Sequence, residues 1–442
     1  MSSDTPLSPQ DETPQALAQF ARQARPIDLA TWLSQLPRDQ AWHHLAALPL
    51  PRQAETFGAL AMEDQTALAV VIPAPDLSAI VALMSSDDRV DLFQSLGPIA
   101  QKRLIESLPP RVGRDIEQLA RHAEETAGAI MTSDYAVLDA ALTAQEAIGA
   151  LRGQAGGSET IYRSYVVDKR GRLIGSVRLH NLILAGAETP VKELMERDPV
   201  SVSIDTDQEE VAQRIARYDL LAIPVLDSAA RLVGIVTHDD AADVMQAEAT
   251  EDFQKISHVL PFKQNMRQAG IAMLYSRRII WLALLVVGNL FSGAGIAHFE
   301  DMILAYVSLV FFLPLLIDSS GNAGSQSATL MVRALATGDV EMKDWRALIL
   351  RELAVAAALG ATMAAVVFPI GAWRGGVEVA VTVGLTMFVV VMIGSLVGMS
   401  LPFLLSRLRL DPATASGPLV TTIADATGVV IYFSIATLIL QL

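Results

Sequence analysis

A single carboxylate, Asp425, stands inside the apolar segment GPLVTTIADATGVVIYFSIATLILQL, with Thr421, Thr422, Thr427 and Gly428 around it at helical spacing. A second apolar segment, LPLLIDSSGNAGSQSATLMVRALATGDV from Leu313 to Val340, is interrupted by Asp318, Gly321, Asn322, Gly324, Ser325 and Gln326. Carboxylate, hydroxyl, amide and carbonyl oxygens bind hard cations such as Mg²⁺ and Ca²⁺. Cys is absent from the chain and His from both segments, so zinc and copper are disfavoured. Against lipid such groups, and any backbone freed by Gly321 and Gly324, are ruinous unless protein or water receives them. Two readings of Asp425 follow: it faces a pore or cavity, or it is hydrogen-bonded glue between helices. One copy supplies one charge. Two copies facing each other across a dimer axis supply two, which suits Mg²⁺, an ion that sheds water reluctantly and would pass largely hydrated.

The elements that must position these residues are membrane helices. Apolar runs of spanning length begin only after YSRR, Tyr275 to Arg278, and five are expected, near 279–298, 303–332, 352–373, 377–405 and 417–440. Arg277, Arg278, Arg333, Lys343, Arg346, Arg351, Arg407 and Arg409 fall on one side of this topology, and Arg374 alone on the other. Short cytoplasmic loops are rich in Lys and Arg, so residues 1–276 are expected in the cytosol and Leu442 outside, in a multi-pass protein of the cell's inner membrane. The N-terminal MSSDTPLSPQDETPQ has neither the basic start nor the apolar core of a secretory signal.

Of the 442 residues, 33 are basic and 48 acidic, but only nine and ten of these lie beyond residue 276. The first 276 residues hold the other 24 and 38 and are strongly acidic, a balance that repels nucleic acid and attracts cations. Residues 1–26 have the composition of a flexible tail. From 27 to 130, LPRDQ, LPLPRQ, AMEDQ, PAPDL, SSDDR and GPIAQ punctuate short helices that should stack. In MSSDDRVDLFQSL the Ser and Asp residues suit a helix N-terminus; Asp87 and Asp91, four apart, also share a face and could offer a cation two carboxylates.

Residues 131–245 contain a repeat. SYVVDKRGRLIGSVRLHNLI (Ser164 to Ile183) matches AIPVLDSAARLVGIVTHDDA (Ala222 to Ala241), with Asp168 on Asp227 and Gly175 on Gly234, each pair 59 residues apart. This resembles a tandem pair of CBS domains, modules that commonly bind adenine nucleotides. Thr237 and Asp240 of THDD resemble the Thr-x-x-Asp that holds a ribose in such modules; the first copy has RLHN, leaving one candidate nucleotide site per chain or an empty structural pair. The following helix crowds Asp240, Asp243, Glu248, Glu251 and Asp252, like charges that destabilise a helix unless solvated or bridged by a divalent ion. Pro261 should end it.

In this order the parts resemble the MgtE family of magnesium channels, through PLLIDSSGNAGSQSATLMVRALATGD, LDPATASGPLVTTIADATGVVIYF, DTDQEE and AEATED. The resemblance implies a multi-domain fold: an α-helical membrane domain (277–442) of five transmembrane helices per chain, a cytosolic all-α superhelical N domain (27–130), an α/β tandem CBS pair (131–245) and a connecting or plug helix (246–276). It implies a homodimer in membrane lipid with its pore on the two-fold axis, lined by spans two and five, and an ion at Asp425. Pore-lining positions are then Gly321, Asn322, Gly324, Ser325, Gln326, Gly417, Thr421 and Thr422. Ser325 and Gly417 stand where compared members carry Asn. It further implies Mg²⁺-sensing positions at Glu55, Asp87, Asp91, Asp207, Glu209, Asp219, Asp240, Asp243, Glu248, Glu251 and Asp252, with Asp411 meeting the connecting helix through a bound ion.

The function expected is Mg²⁺ import through a channel that closes when cytosolic Mg²⁺ bridges these carboxylates, biased by ATP where ATP binds the CBS pair. Some relatives also pass Co²⁺ or other divalents. The alternatives are a proton- or sodium-coupled divalent carrier and a non-conducting membrane-tethered nucleotide sensor. Catalysis is not expected: there is no nucleophile-and-base constellation, Walker loop or catalytic metal motif.

Overall fold

The computed structural model describes residues 20, 23–257, 259–262, 269–414 and 417–440. The expected tail falls almost wholly outside them, as does Leu442. The chain divides into two compact units, Met1–Met245 and Gln246–Leu442.

In the first unit, eight helices of 8 to 10 residues follow one another: Pro26–Leu33, Arg38–Ala46, Leu50–Gly58, Met62–Ala69, Ala74–Val81, Ser86–Ser95, Pro98–Ser107 and Pro110–Leu119. Proline sets most of the starts, either just before the first turn (Pro37, Pro49, Pro73, Pro109) or inside it (Pro26, Pro51, Pro98, Pro110). There its fixed φ suits the helix and its missing N–H costs nothing. Each helix packs mainly on the next but one, which builds two rows. Leu29, Leu33, Leu45, Phe57, Ile80, Leu92 and Ile116 are fully enclosed between them, each burial contributing about 1.5–3 kcal/mol. The stacked-helix expectation holds in detail.

The repeat then folds twice. Strands β1 (Tyr135–Leu138), β2 (Thr160–Val167), β3 (Leu173–Arg178) and β4 (Glu196–Arg197) form one sheet in that order; β5 (Val202–Ser203), β6 (Ala222–Leu226) and β7 (Leu232–Thr237) form the other. β2 pairs antiparallel with β3, Val166 opposite Gly175, and β6 pairs with β7, Val225 opposite Gly234. The two glycines answer to sulfur. A β-carbon on Gly175 would lie 2.8 Å from Met195 Sδ, and one on Gly234 2.6 Å from Met131 Sδ. The methionine that opens each repeat thus packs on the glycine of the other, an exchange only a bare Cα permits. The helix His238–Ile256 leaves β7 and stops well before Pro261.

The second unit contains five long helices among its described residues. The first is Ile271–His298, the second Ser308–Ala336 and the fifth Gly417–Leu440. Between them lies Trp345–Arg407, broken at Gly376, whose φ of 83° and ψ of −179° are outside the helical range. Residues 345–375 and 377–407 fold back on each other as third and fourth helices. A β-carbon on Gly371 would meet Ala380 Cα at 2.8 Å, and one on Gly360 the Phe388 carbonyl oxygen at 2.9 Å. Among the described residues three stretches are apolar and long enough to cross a membrane: Ile271–His298, Met342–Arg407, which holds this hairpin, and Gly417–Leu440. The second helix has 29 residues, but its polar segment dilutes its apolarity. Phe312, Leu316, Met387, Tyr432 and Phe433 form the interior, and Tyr432 donates to the Leu309 carbonyl at 3.0 Å.

Candidate cation path and carboxylate sites

The second helix does not break at its glycines. It runs through Gly321 and Gly324 without interruption, so the expectation of freed backbone there is corrected: both glycines serve close packing. Gly324 is buried, its missing β-carbon 2.7 Å from the Gly394 carbonyl oxygen and 2.7 Å from Val420 Cγ1. Ser320 and Gly324 on this helix face Gly394 and Gly398 on the fourth, and Ser320 Oγ donates to the Val390 carbonyl at 2.9 Å. Small residues one turn apart on both partners let membrane helices approach to backbone contact.

Gly321 turns toward the fifth helix. A β-carbon there would stand 3.1 Å from Thr421 Cγ2 and 3.3 Å from Asp425 Oδ1. Asp425 is half-buried beside this gap, and the Asp318 carboxylate is near enough for its charge to act on it. Thr421 and Thr427 donate to the Pro418 and Ile423 carbonyls of their own helix. Thr422 packs against Gly288 of the first helix, and Gly417 is buried. Asp318, Asn322 and Gln326, one turn apart, are exposed on the outer face of the second helix, and Ser325 is half-buried beside them.

In the first unit, carboxylates gather where the Ser86–Ser95 helix meets the CBS pair. Ser86 does not cap its own helix. Its hydroxyl bonds Thr132 Oγ1 at 2.7 Å and accepts from the Ser133 N–H at 2.7 Å. Arg89, almost wholly buried, pairs with Asp134 at 2.7 Å, and Ser133 Oγ donates to Asp115 at 2.9 Å. This seam presents Asp87 to Asp240. Asp87 Oδ1 is enclosed without a hydrogen-bond partner, and burial, then the charges of Asp240 and Asp88, push the Asp87 carboxyl up to about 8. Burial also raises Asp240 and Asp88, against hydrogen bonds from Thr237 and Ser85 respectively and with added repulsion from Asp239; Asp243 acts on Asp88 as well.

Asp88, Asp239 and Glu159 are members of this group that sequence spacing did not single out. The signal for Asp88 and Asp239 was present in SSDDR and THDD; for Glu159 there was none. Asp91 is exposed one turn beyond Asp87, and Glu55 is exposed on the Leu50–Gly58 helix, whose last residue lies against Asp88. Asp207 caps the helix Gln208–Arg217, accepting from the Glu209 N–H at 2.9 Å, while Asp219 sits beyond its other end with φ of 50°. The helix therefore holds Asp207 and Glu209 apart from Asp219 within the chain. Thr237 and Asp240 do meet: the Thr237 N–H donates to Asp240 Oδ2 at 3.3 Å and its hydroxyl donates to the same oxygen. Both bonds run from Thr237 to the one carboxylate oxygen, the half of a capping box in which the N3 side chain reaches back to the residue before the helix, and this is the pair expected to hold a ribose.

In the second unit, Asp411 is joined to Lys255, whose ammonium also pairs with Glu251 at 2.7 Å. Burial works against that charge, but the bonds to Asp411 and Glu251 outweigh it and hold Lys255 protonated. Asp252 is pushed up to about 6 by burial, then by Asp411, with Glu248 and Glu251 adding to it and Lys255 opposing. Lys255 was missed, although its place one turn after Glu251 marked it as a partner. Among the described residues no three carboxylates or histidines yet converge as a closed metal shell. The enclosed, partnerless Asp87 oxygen beside Asp240 nonetheless fits a hard cation, which would supply the missing partner and cancel the repulsion.

Stacked helices, a CBS pair and apolar helices around an oxygen-lined carboxylate are the parts of a membrane transport protein. Family models agree: residues 24–125 match the MgtE intracellular N domain, 127–188 and 191–247 the CBS domain, and 313–435 the MgtE divalent cation transporter. The chain is 39% identical over 435 residues to magnesium transporter MgtE of Thermus thermophilus, covering 98% of this chain and 97% of that one. It is 31% identical over 414 residues to magnesium transporter MgtE of Bacillus subtilis, covering 93% and 91%. A crystal structure of the cytosolic domain of the Mg²⁺ channel MgtE in complex with ATP superposes with a TM-score of 0.50 at 39% identity, over 52% of this chain and 94% of that one. The soluble part of a magnesium transporter gives 0.51 at 30% identity, over 53% and 94%. The chain belongs to the MgtE family.

Proposed function

We propose that this chain is a Mg²⁺ channel of the inner membrane that works as a homodimer, each copy contributing five transmembrane helices and holding its N-terminal unit in the cytosol. The observation that carries this reading is the placement of Asp318 and Asn322 on the exposed face of the second helix, the helix that meets Asp425 at Gly321. A carboxylate and an amide at that depth need water or a protein partner. A second copy across a two-fold axis supplies both, and sets two Asp425 carboxylates around one hydrated divalent ion.

Closure follows from repulsion and its removal. When cytosolic Mg²⁺ is abundant, ions bridge carboxylates of the N domain, the CBS pair and the connecting helix, Asp87 and Asp240 foremost, and select a compact, shut arrangement. When Mg²⁺ is scarce the compact form must hold these carboxyls together unbridged, at the cost of repulsion or, at Asp87, of a retained proton, and the open form gains population. ATP at Thr237 and Asp240 biases this equilibrium; the ATP complex of a related cytosolic domain supports such a ligand. Co²⁺ and other hard divalents are further candidates for passage.

Mg²⁺ uptake into proteoliposomes tests the reading. Asp425→Asn should abolish uptake, whereas Asp240→Asn and Asp243→Asn should leave conduction intact and weaken shutting at high internal Mg²⁺. Uptake that follows an imposed pH or Na⁺ gradient would instead favour a coupled carrier, and no uptake at all a non-conducting sensor.

A further inference from the structure

The second helix carries a carboxylate that the pore reading leaves without a task. Asp318 is exposed in the interior of this 29-residue helix, one turn before Asn322, which is exposed on the same face. It has no hydrogen bond or ion pair among the described residues. The fifth helix has no basic residue, and the second has none before Arg333. A lone carboxylate in that setting is not a lipid-facing group.

Its level along the path follows from the helix contacts. Gly321 abuts Thr421 and Asp425. Arg333, on the basic side, lies toward the C-terminal end of the second helix, so Asp318 stands one turn from Gly321 toward the opposite, outer side. Further out on the same exposed face is Phe311, seven residues or about 10 Å away, with the Arg374 guanidinium 4.9 Å from its ring centroid. From outside inward the order is Arg374 on Phe311, then Asp318, then the level where Gly321 meets Asp425.

We infer that Asp318 is a cation-recruiting residue on the outer side of Asp425, which raises the pore's negative charge from two to four in the dimer and concentrates hydrated divalent cations at its entrance. This rests on the pore reading. Asp318 need not touch the metal: a like-charged lining in a low-dielectric passage focuses the field and raises local counter-ion concentration. Such recruitment acts on entry at low external Mg²⁺, not on maximal flux, and salt screens it.

The test is Mg²⁺ flux into proteoliposomes of the full chain, with external Mg²⁺ titrated at low and high ionic strength. Asp318→Asn should raise the half-saturating concentration about tenfold, the lower end of what focusing supplies, keep the plateau flux, and flatten the dependence on ionic strength; Asp318→Glu should restore all three. Because the chain has no cysteine, Asp318→Cys gives an independent readout. A membrane-impermeant thiol reagent added outside should modify the introduced thiol, with an anionic adduct recovering low-concentration flux and a cationic adduct lowering it. Unchanged half-saturation and salt dependence in Asp318→Asn, or a thiol in Asp318→Cys that resists the reagent, would overturn the inference even where Asp425→Asn abolishes flux. Full flux in Asp425→Asn would overturn the pore reading itself, and this inference with it.

Discussion

Gly321 and Asp425 meet across the second and fifth long helices so closely that a methyl group on Gly321 would stand 3.3 Å from Asp425 Oδ1. The glycine lets the carboxyl occupy the gap between helices. Gly321→Ala should be tolerated after a shift of a few tenths of an ångström and keep most of the flux. Gly321→Leu has no such room, and flux should fall at least about tenfold, equivalent to roughly 1.4 kcal/mol on the barrier. Uptake in proteoliposomes, normalised to reconstituted protein, distinguishes the two.

The seam between Asp87 and Asp240 should make Mg²⁺-free stability depend on pH. Asp87 keeps its proton up to about 8, whereas an unfolded Asp releases it near 3.9. Between those values the folded state binds a proton that the unfolded chain does not. Stability is therefore full below the lower value and falls as pH rises through the window. Thermal unfolding of the full chain in chelator should show this fall, and Mg²⁺ should flatten it. Asp87→Asn should raise the Mg²⁺-free midpoint by about 2–4 °C, on the scale of 1 kcal/mol for a unit of this size, and lose most of the Mg²⁺-dependent gain.

Lys255 holds Asp411 and Glu251 together with its own charge. Lys255→Met removes the tethered cation and leaves Asp252, Glu251 and Asp411 repelling. Without Mg²⁺ the connecting helix should exchange its amide hydrogens faster. With millimolar Mg²⁺ that exchange should slow again, more than in the unmodified chain, because the ion takes the place the ammonium held. Hydrogen-exchange mass spectrometry on both forms measures it. Equal exchange in all four samples would count against an electrostatic role for this cluster.

Much of the architecture was readable because local chemistry repeats. Proline before or inside the first turn announced the short helices, and the 59-residue offset of Asp168 and Gly175 from their counterparts announced the paired CBS units. The membrane segments were legible as apolar runs, but their ends were not. Helix Ile271–His298 begins before its apolar run, and Trp345–Arg407 passes Gly376 with a turn too tight to leave a loop. Gly321 and Gly324 misled for a physical reason: glycine that frees a backbone and glycine that admits a neighbouring helix look alike until Gly394 and Gly398 are seen opposite. The carboxylate groups were partly hidden. Asp87 faces Asp240, and Lys255 faces Asp411, across more than 150 residues of chain, a separation no local pattern spans; local spacing brought Asp87 and Asp240 into view separately, the resemblance added Asp411, and only the fold brought in Glu159 and Lys255.

Whether Asp425 carries the ion is read most simply from Mg²⁺ flux through purified, reconstituted Asp425→Asn beside the unmodified chain under one imposed Mg²⁺ gradient. The substitution keeps the side chain's size and removes its charge. Flux near the protein-free background, with folding and oligomeric state unchanged, is the outcome expected of an ion-carrying carboxylate; Mg²⁺ entry at the unmodified rate would contradict that role.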